Sequence, residues 1–365
     1  MIPISEPSIT QKEIDYVNEA MKSGWVSSLG SYIDNFEKKF AEFCNTKYAV
    51  SVSNGTAALH LALLALNISE NDEVIIPNLT FIATANAVSY VKAKIKLVDI
   101  EETTLCIDPE KIEKAITKNT KAIIPVHLYG HPSNMPKIME IAKKYNLAVI
   151  EDAAEAHGAK INKKMVGSFG DLGIFSFYGN KIMTTGEGGI ITTNNETLYN
   201  KIKFLKDHGM SKDKRYFHTQ IAYNYRMTNL QAALGLAQLE RIKELLARKK
   251  KIYELYSDNL KDIPKIRLNF TANWAINVYW MVCLEYENWN ETSRDQFIFK
   301  LKNNGIDSRP YFYPINYMPM YKDIPADTPI ANKIFQKGIN LPSSFNLTDK
   351  EIIFICKTIR KLLDS

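Results

Sequence analysis

Leu147-Ala148-Val149-Ile150-Glu151-Asp152-Ala153-Ala154-Glu155-Ala156-His157-Gly158 runs from an unbroken apolar stretch straight into carboxylates. Leu147–Ile150 has no polar alternation, so it reads as a strand covered on both faces. Asp152 then stands at the strand's carboxyl end, the edge where ligands gather in sheets of this kind. A carboxylate there is costly unless a cation or several donors compensate it. A protonated ring nitrogen of a cofactor is one such partner. The free amides of a following helix are another, with Asp152 as helix cap. His157 offers a metal ligand, but no second His or Cys lies at ligand spacing, so no metal site is expected.

The flanking sequence repeats the pattern. Tyr48–Ser53, Glu73–Ile76, Lys94–Asp99, Lys121–His127, Gly173–Phe177 and Gly189–Thr193 read as strands, with helices over Thr56–Leu66 and Met135–Tyr145. Apolar strands split by helices predict an α/β fold with a mostly parallel sheet covered on both faces. From Asn229 to Asp258, Leu and Ile recur at helical spacing and predict one long helix able to bridge two domains. The alternating strand Val278–Tyr286 and helices at Ser293–Asn304 and Lys350–Leu363 predict a smaller α+β domain. The expected division is a large domain over 13–245, a small one over 246–365, and 1–12 as an N-terminal extension.

Composition narrows the class. With 45% hydrophobic and 24% charged residues in 365, general disorder is excluded and about two domains are expected. The net charge of +6 is spread along the chain. The densest basic run, Arg248-Lys249-Lys250-Lys251, lies beside Glu244 and Glu254 and reads as a solvated helix face, so no nucleic-acid partner is expected. Cys44, Cys106, Cys283 and Cys356 are far apart, which excludes a disulfide scaffold and fits a reducing cytoplasm. Met1–Pro7 carries no basic stretch followed by an apolar one, and the longest apolar run, Ala57–Leu66, falls short of the about 20 residues that span a bilayer. A soluble cytoplasmic protein without a membrane partner is expected.

Two further features stand at strand ends. Ser53-Asn54-Gly55-Thr56 joins a strand to a helix. Gly55 permits a tight turn, and Thr56 can cap a helix whose free amides suit a phosphate. Strand-to-helix turns use Gly and Thr for structure alone as well. Phe175-Ser176-Phe177-Tyr178-Gly179-Asn180-Lys181 precedes the glycine-rich Thr184-Thr185-Gly186-Glu187-Gly188-Gly189. A lysine enclosed there is desolvated, which frees its amine for Schiff-base chemistry; in an open loop it is only a surface charge. The combination is more telling than its parts. A phosphate cradle, a strand-end Asp and a later Lys are what pyridoxal phosphate requires. The Lys forms the imine, the Asp keeps the ring nitrogen protonated, and the cofactor is the electron sink.

These residues closely resemble the DegT/DnrJ/EryC1/StrS family of sugar aminotransferases. The likeness runs from Gly24-Trp25-Val26-Ser27-Ser28 to Gly338-Ile339-Asn340-Leu341-Pro342 and includes Ser53–Leu61, Glu151–Ala156, Thr185–Gly189 and Asn224-Tyr225-Arg226-Met227-Thr228-Asn229. It implies the aspartate-aminotransferase-like fold, fold type I, with a mostly parallel seven-stranded sheet in the large domain. It also implies roles. Lys181 would carry pyridoxal 5′-phosphate and shuttle protons, and Asp152 would pair with the pyridine nitrogen. Gly55 and Thr56 would donate amides to the phosphate, with the Ser176 hydroxyl. Phe81 and Ala154 would cover the two faces of the ring, and Glu155 joins the cofactor-binding set. Asn224 would reach the cofactor of a partner subunit, making the protein a homodimer with shared sites, and Arg226 would help bind substrate anions across that interface. The alternative for Asn224 and Arg226 is a pair that braces its own loop. Arg309, Tyr311, Tyr313 and Asn316 are the expected substrate contacts.

The implied activity is amino transfer from L-glutamate to C4 of a nucleotide-linked 4-keto-6-deoxyhexose, foremost GDP-4-keto-6-deoxy-D-mannose, for surface polysaccharide (O-antigen, lipopolysaccharide) assembly. Supporting stretches are Pro125-Val126-His127-Leu128-Tyr129-Gly130-His131-Pro132 and Ser308-Arg309-Pro310. Phe81 stands where Tyr is usual and Asn316 where His is frequent, which leaves UDP- and dTDP-linked sugars open. Lys181 argues against the family's C3 dehydratases, which carry His at that position. Lys181 and Asp152 together argue against a non-catalytic sensor.

Overall fold

The computed structural model describes residues 1–364. Its first half lays down β1 (Tyr48–Val52), β2 (Glu73–Pro77), β3 (Lys94–Val98), β4 (Thr120–Ile123), β5 (Ala148–Asp152), a hairpin of β6 (Lys160–Ile161) and β7 (Lys164–Met165), then β8 (Leu172–Ser176) and β9 (Gly189–Thr193). The seven-stranded sheet has the order β1-β9-β8-β5-β4-β2-β3. Only β9 runs against the others, antiparallel to both β1 and β8. Alternate residues go to opposite faces. Ile150, Ile174 and Ile191 join the core under the helices Gly55–Ala65 and Glu196–Lys206, while Phe175 and Ile190 meet Phe36 and Phe40 of the helix Ser31–Cys44. Each such fully buried side chain contributes about 1.5–3 kcal/mol. The helix Gly55–Ala65 is apolar all round because it is buried all round, and it is capped by Asn54, whose Oδ1 accepts from the Ala57 amide at 2.8 Å. The cap is therefore Asn54, not Thr56: only the residue before the first helical one has the extended backbone that turns its side chain back on the free amides.

The second half holds the four-stranded sheet β10 (Ile266–Leu268), β12 (Val282–Tyr286), β14 (Gly338–Leu341) and β13 (Arg309–Pro310), backed by the helices Ile242–Leu260, Glu291–Asn303 and Asp349–Leu363; β11 (Ala275–Ile276) pairs instead with β6. The long helix expected over Asn229–Asp258 is two helices, Asn229–Glu240 and Ile242–Leu260, broken at Arg241. Arg241 leaves helical geometry and is fixed by the buried Glu13 at 2.7 Å. The second of these helices joins the two cores. Ile242 and Leu245 pack in the first, and Ile252, Tyr256 and Leu260 in the second. The N-terminal residues lie on the second half, Ile2 bonding to Gly305 and Asp307, and Ile4 to Ser343.

Two further expectations change. Lys249, read as part of a solvated face, is buried, while Lys250 and Lys251 remain exposed. The helix turns residue 249 toward the small sheet and its neighbours away from it. The strand expected from Val278 starts at Val282, because Tyr279 takes a left-handed backbone (φ 49°) and Val278 bonds to the Gly130 carbonyl. No helix among the described residues is long and apolar enough to cross a membrane.

Gly189 opens β9 directly against the turn before the helix Gly55–Ala65, where a Cβ would lie 2.6 Å from the Asn54 carbonyl. Gly189→Ala should therefore cost about 1–3 kcal/mol, because backbone has to shift. Urea unfolding measures this, and an unchanged midpoint would contradict the packing described.

Candidate active site

The carboxyl ends of β2, β5 and β8 open on a cavity of about 570 Å³. Its wall includes Gly55, Thr56, Phe81, Asp152, Ala154, Glu155, Ser176 and Lys181, so eight residues singled out in the sequence meet in one place. Asp152 ends β5. Its Oδ2 accepts from the Thr84 hydroxyl at 2.9 Å and its Oδ1 from the Ala154 amide at 3.2 Å. Burial raises its pKa, and these two donors only partly oppose that.

Lys181 follows β8 after a turn in which its amide bonds to the Tyr178 carbonyl. Its Nζ lies 3.7 Å from Glu155 Oε1 and 4.0 Å from the centre of the Trp280 ring. Burial lowers the pKa of this amine, against the pull of Glu155 and Asp152. Glu155 is pushed up to about 7, first by burial, while the Tyr129 amide donates to its Oε2 at 2.8 Å. Burial thus works against the charged form of both members of the pair.

The opposite wall is an anion cradle. The helix Gly55–Ala65 points its N-terminus into the cavity, and the Ser176 hydroxyl stands across from it. A Cβ on residue 55 would come within 2.9 Å of Ser176 Cβ, so only glycine leaves the amides open there. Two buried polar atoms on the wall, His60 Nε2 and Asn180 Oδ1, have no hydrogen-bond partner among the described residues, as in a cavity shaped for something polar. An under-compensated carboxylate, a desolvated lysine and an anion cradle around this volume match the ring nitrogen, aldehyde and phosphate of pyridoxal phosphate.

Other expected residues stand elsewhere. Asn224 is exposed and its Oδ1 accepts from Arg226 Nε at 2.9 Å, while Arg226 pairs with Asp207 at 2.7 Å. Within one chain they brace their own loop, and Tyr225 between them reaches the wall. Arg309 is exposed and paired with Asp307. Tyr311 is buried, its hydroxyl 3.3 Å from Glu285, and Tyr313 packs on Phe335; Phe312 between them lines the cavity. Asn316 is bonded to Asn78 through both its Oδ1 and its amide. None of Arg309, Tyr311, Tyr313 or Asn316 is brought to the cavity of this chain. Trp280, Thr84 and Phe312 are wall or support residues for which the sequence carried no signal; His60 stands within the Ser53–Leu61 stretch and Asn180 beside Lys181.

Such a wall on such a sheet makes the chain a pyridoxal phosphate-dependent enzyme of the aspartate-aminotransferase-like fold. A family model narrows this. The DegT/DnrJ/EryC1/StrS aminotransferase family matches residues 7–360, and the chain belongs to that family. It is 47% identical to GDP-perosamine synthase of Escherichia coli O157:H7 over 99% of this chain and 98% of the relative. The GDP-perosamine synthase of Vibrio cholerae is 42% identical, over 99% and 98%. Among solved structures, Spr1654 of Streptococcus pneumoniae, assigned as a sugar aminotransferase and solved in a PMP form, superposes with a TM-score of 0.94 at 30% identity, covering 100% and 98% of the two chains.

An acid whose folded pKa lies above its unfolded value loses stability for the fold as pH rises through that interval. In the cofactor-free protein, wild type should therefore fall relative to Glu155→Gln by roughly 1–3 kcal/mol as the pH rises from 4.5 to about 7. Urea unfolding at several pH values reads the difference. Parallel curves would mean that Lys181 keeps Glu155 ionised throughout.

Proposed function

We propose that the protein transfers the amino group of L-glutamate to C4 of GDP-4-keto-6-deoxy-D-mannose, giving GDP-perosamine for O-antigen assembly. The observation that carries the chemistry is the enclosed Lys181, 3.7 Å from Glu155 in the same cavity as Asp152. The choice of sugar rests on the perosamine synthases that the chain resembles along its whole length. When bound, pyridoxal phosphate supplies an aldehyde that accepts an amino group and a cationic ring that draws off the electrons of a broken C–H bond.

The chain's own residues do the rest. Asp152, only partly compensated within the protein, would hold the ring nitrogen protonated. Gly55 and Thr56 present amides, and Ser176 a hydroxyl, to the phosphate. Phe81 and Ala154 hold the ring between them. Glu155 sets the charge beside Lys181. Lys181, desolvated and so a usable base, takes the proton from the donor's Cα and later returns one to C4 of the sugar. Phe312, whose ring is 5.7 Å from that of Phe81, extends the same apolar wall toward the sugar.

We further read the enzyme as a homodimer in the cytoplasm. Trp25, Tyr216 and Ile221 are exposed apolar residues near the loop that carries Asn224, and they suit a second copy. Asn224 and Arg226, outside their own cavity, would then serve the partner's. All four cysteines are free, as a reducing compartment maintains.

Lys181→Ala should keep the fold and lose at least about a hundredfold in turnover, the smaller end of what a positioned base contributes. A panel of keto-sugar nucleotides, with products identified by mass and NMR, tests both residue and substrate. An active Lys181→Ala enzyme would sink the first assignment, and preference for a UDP- or dTDP-sugar the second. Asn224→Ala should weaken cofactor binding about tenfold, one charge-assisted hydrogen bond, by equilibrium titration. A monomer in sedimentation with wild-type cofactor affinity in this variant would remove the shared site.

A further inference from the structure

Lys249 is a second enclosed lysine that the reaction does not use. It sits on the helix Ile242–Leu260, and burial lowers its pKa to about 7. Among the described residues no carboxylate pairs with it. Its Nζ donates instead to two carbonyls, those of Trp280 at 2.9 Å and of Ser343. An apolar side chain would fill this space without the cost of burying an amine, so the two hydrogen bonds are what the amine adds. Trp280 needs one of them. It precedes the first ladder residue of β12, Val282, so its carbonyl has no sheet partner.

The segment carrying Trp280 is held under strain. Tyr279 and Tyr129 both have left-handed backbones, at φ 49° and 52°, a costly geometry for aromatic residues. Gly130 lets the two segments close, for a Cβ there would lie 2.9 Å from the Trp280 and Tyr279 amides. The helix grips the segment twice, one turn apart. Tyr253 stacks on Tyr279 at 3.9 Å and Lys249 takes the Trp280 carbonyl. The far side of Trp280 is fixed by its indole N–H, which donates to the Asn180 carbonyl at 2.8 Å. The result is an indole face 4.0 Å from the amine of Lys181.

We propose that Lys249 is a positioning residue of the active site: by holding the Trp280 carbonyl it keeps the indole face against the ε-amine of Lys181, the resting place of that amine whenever it is not bonded to the cofactor. This deepens the reading of Lys181 given above and rests on it. An amine released during each turnover has to stay near the reacting atoms, and a ring face adds to the attraction of Glu155 without forming a covalent bond. The groups that face Lys181 are Glu155, Asp152 and Trp280, with His157 nearby, whose pKa of about 3 leaves it neutral. The ring stabilises the ammonium form, so removing or loosening it makes the free amine appear at lower pH.

The test uses the full-length cofactor-free protein, with pyridoxal phosphate as the probe. The rate at which the visible absorbance of the covalent link appears is followed against pH. Trp280→Leu should shift this profile to lower pH by roughly 0.5–1 unit. Lys249→Met should shift it the same way, and should add nothing in the Trp280→Leu background. A purely structural lysine would lower the melting temperature with the profile unmoved, or would shift it equally in both backgrounds, and either result overturns the proposal. Should Lys249→Met not fold, Tyr253→Ala loosens the same segment from its half-buried side and has to produce the same shift. If Lys181→Ala still develops the absorbance, the reading of Lys181 has failed; if it does not and Lys249→Met follows wild type, only the role of Lys249 has.

Discussion

Asp152 is a carboxylate taken out of water at the end of β5 with two hydrogen bonds and, among the described residues, no cation in contact. An ionised carboxylate in that position is under-compensated, and burial answers by raising its pKa. A pyridine ring protonated at its nitrogen would reverse the balance. The attraction that the protein supplies only in part would then come from the ligand, and part of the cost of burying Asp152 would become binding energy. The rest of the architecture keeps that condition in force. The sheet delivers Asp152, the helix Gly55–Ala65 and Ser176 to one rim, and the second half of the chain closes over them with Trp280 and Phe312. Opening the rim to water would remove both the penalty and the reason for the ring to bind.

The same dryness acts on Lys181 with opposite sign. Desolvation lowers the pKa of an amine and raises that of an acid, and Lys181 and Glu155 stand 3.7 Å apart under both effects. Burial weakens the charged form of each. An amine eased out of its ammonium form is the kind of group that can both take up a proton and release it.

How much of this was legible follows from what the chemistry of a strand end requires. Asp152, Lys181, Gly55 and Ser176 could be found because each sits where an apolar run stops, and the sheet brings such stops together. The contacts at 309–316 could not be placed, because side chains there alternate across an extended segment. A shift of one residue moves the wall from Tyr311 or Tyr313 to Phe312. Lys249 was hidden in a run of like charges, where only the rotation of one helix against the small sheet separates it from its neighbours. Trp280 was hidden for another reason. Its approach depends on a left-handed Tyr279 and on Gly130, features of backbone geometry that composition does not record. The break at Arg241 belongs with these, since Glu13, from the other end of the sequence, fixes it.

The two halves of the chain are joined most firmly where the site needs it. Asn78, just past β2, bonds to Asn316 and to Thr328, so the rim of the large sheet and the segment carrying Phe312 move together. The helix Ile242–Leu260 ties the other side, holding Tyr279 and Trp280 while its first turn is embedded in the large core. A cavity clamped at both edges has little freedom to close further around its ligands. Selectivity for the sugar then has to come from fixed walls, and the fixed walls near Lys181 are aromatic: Phe81, Phe312 and Trp280. Flat apolar faces suit the C–H faces of a deoxygenated hexose, which has lost the hydroxyl that such walls could not satisfy. Arg226 lies outside this chain's cavity and is turned to Asp207, so the aromatic walls there act on the hexose and not on a charged diphosphate.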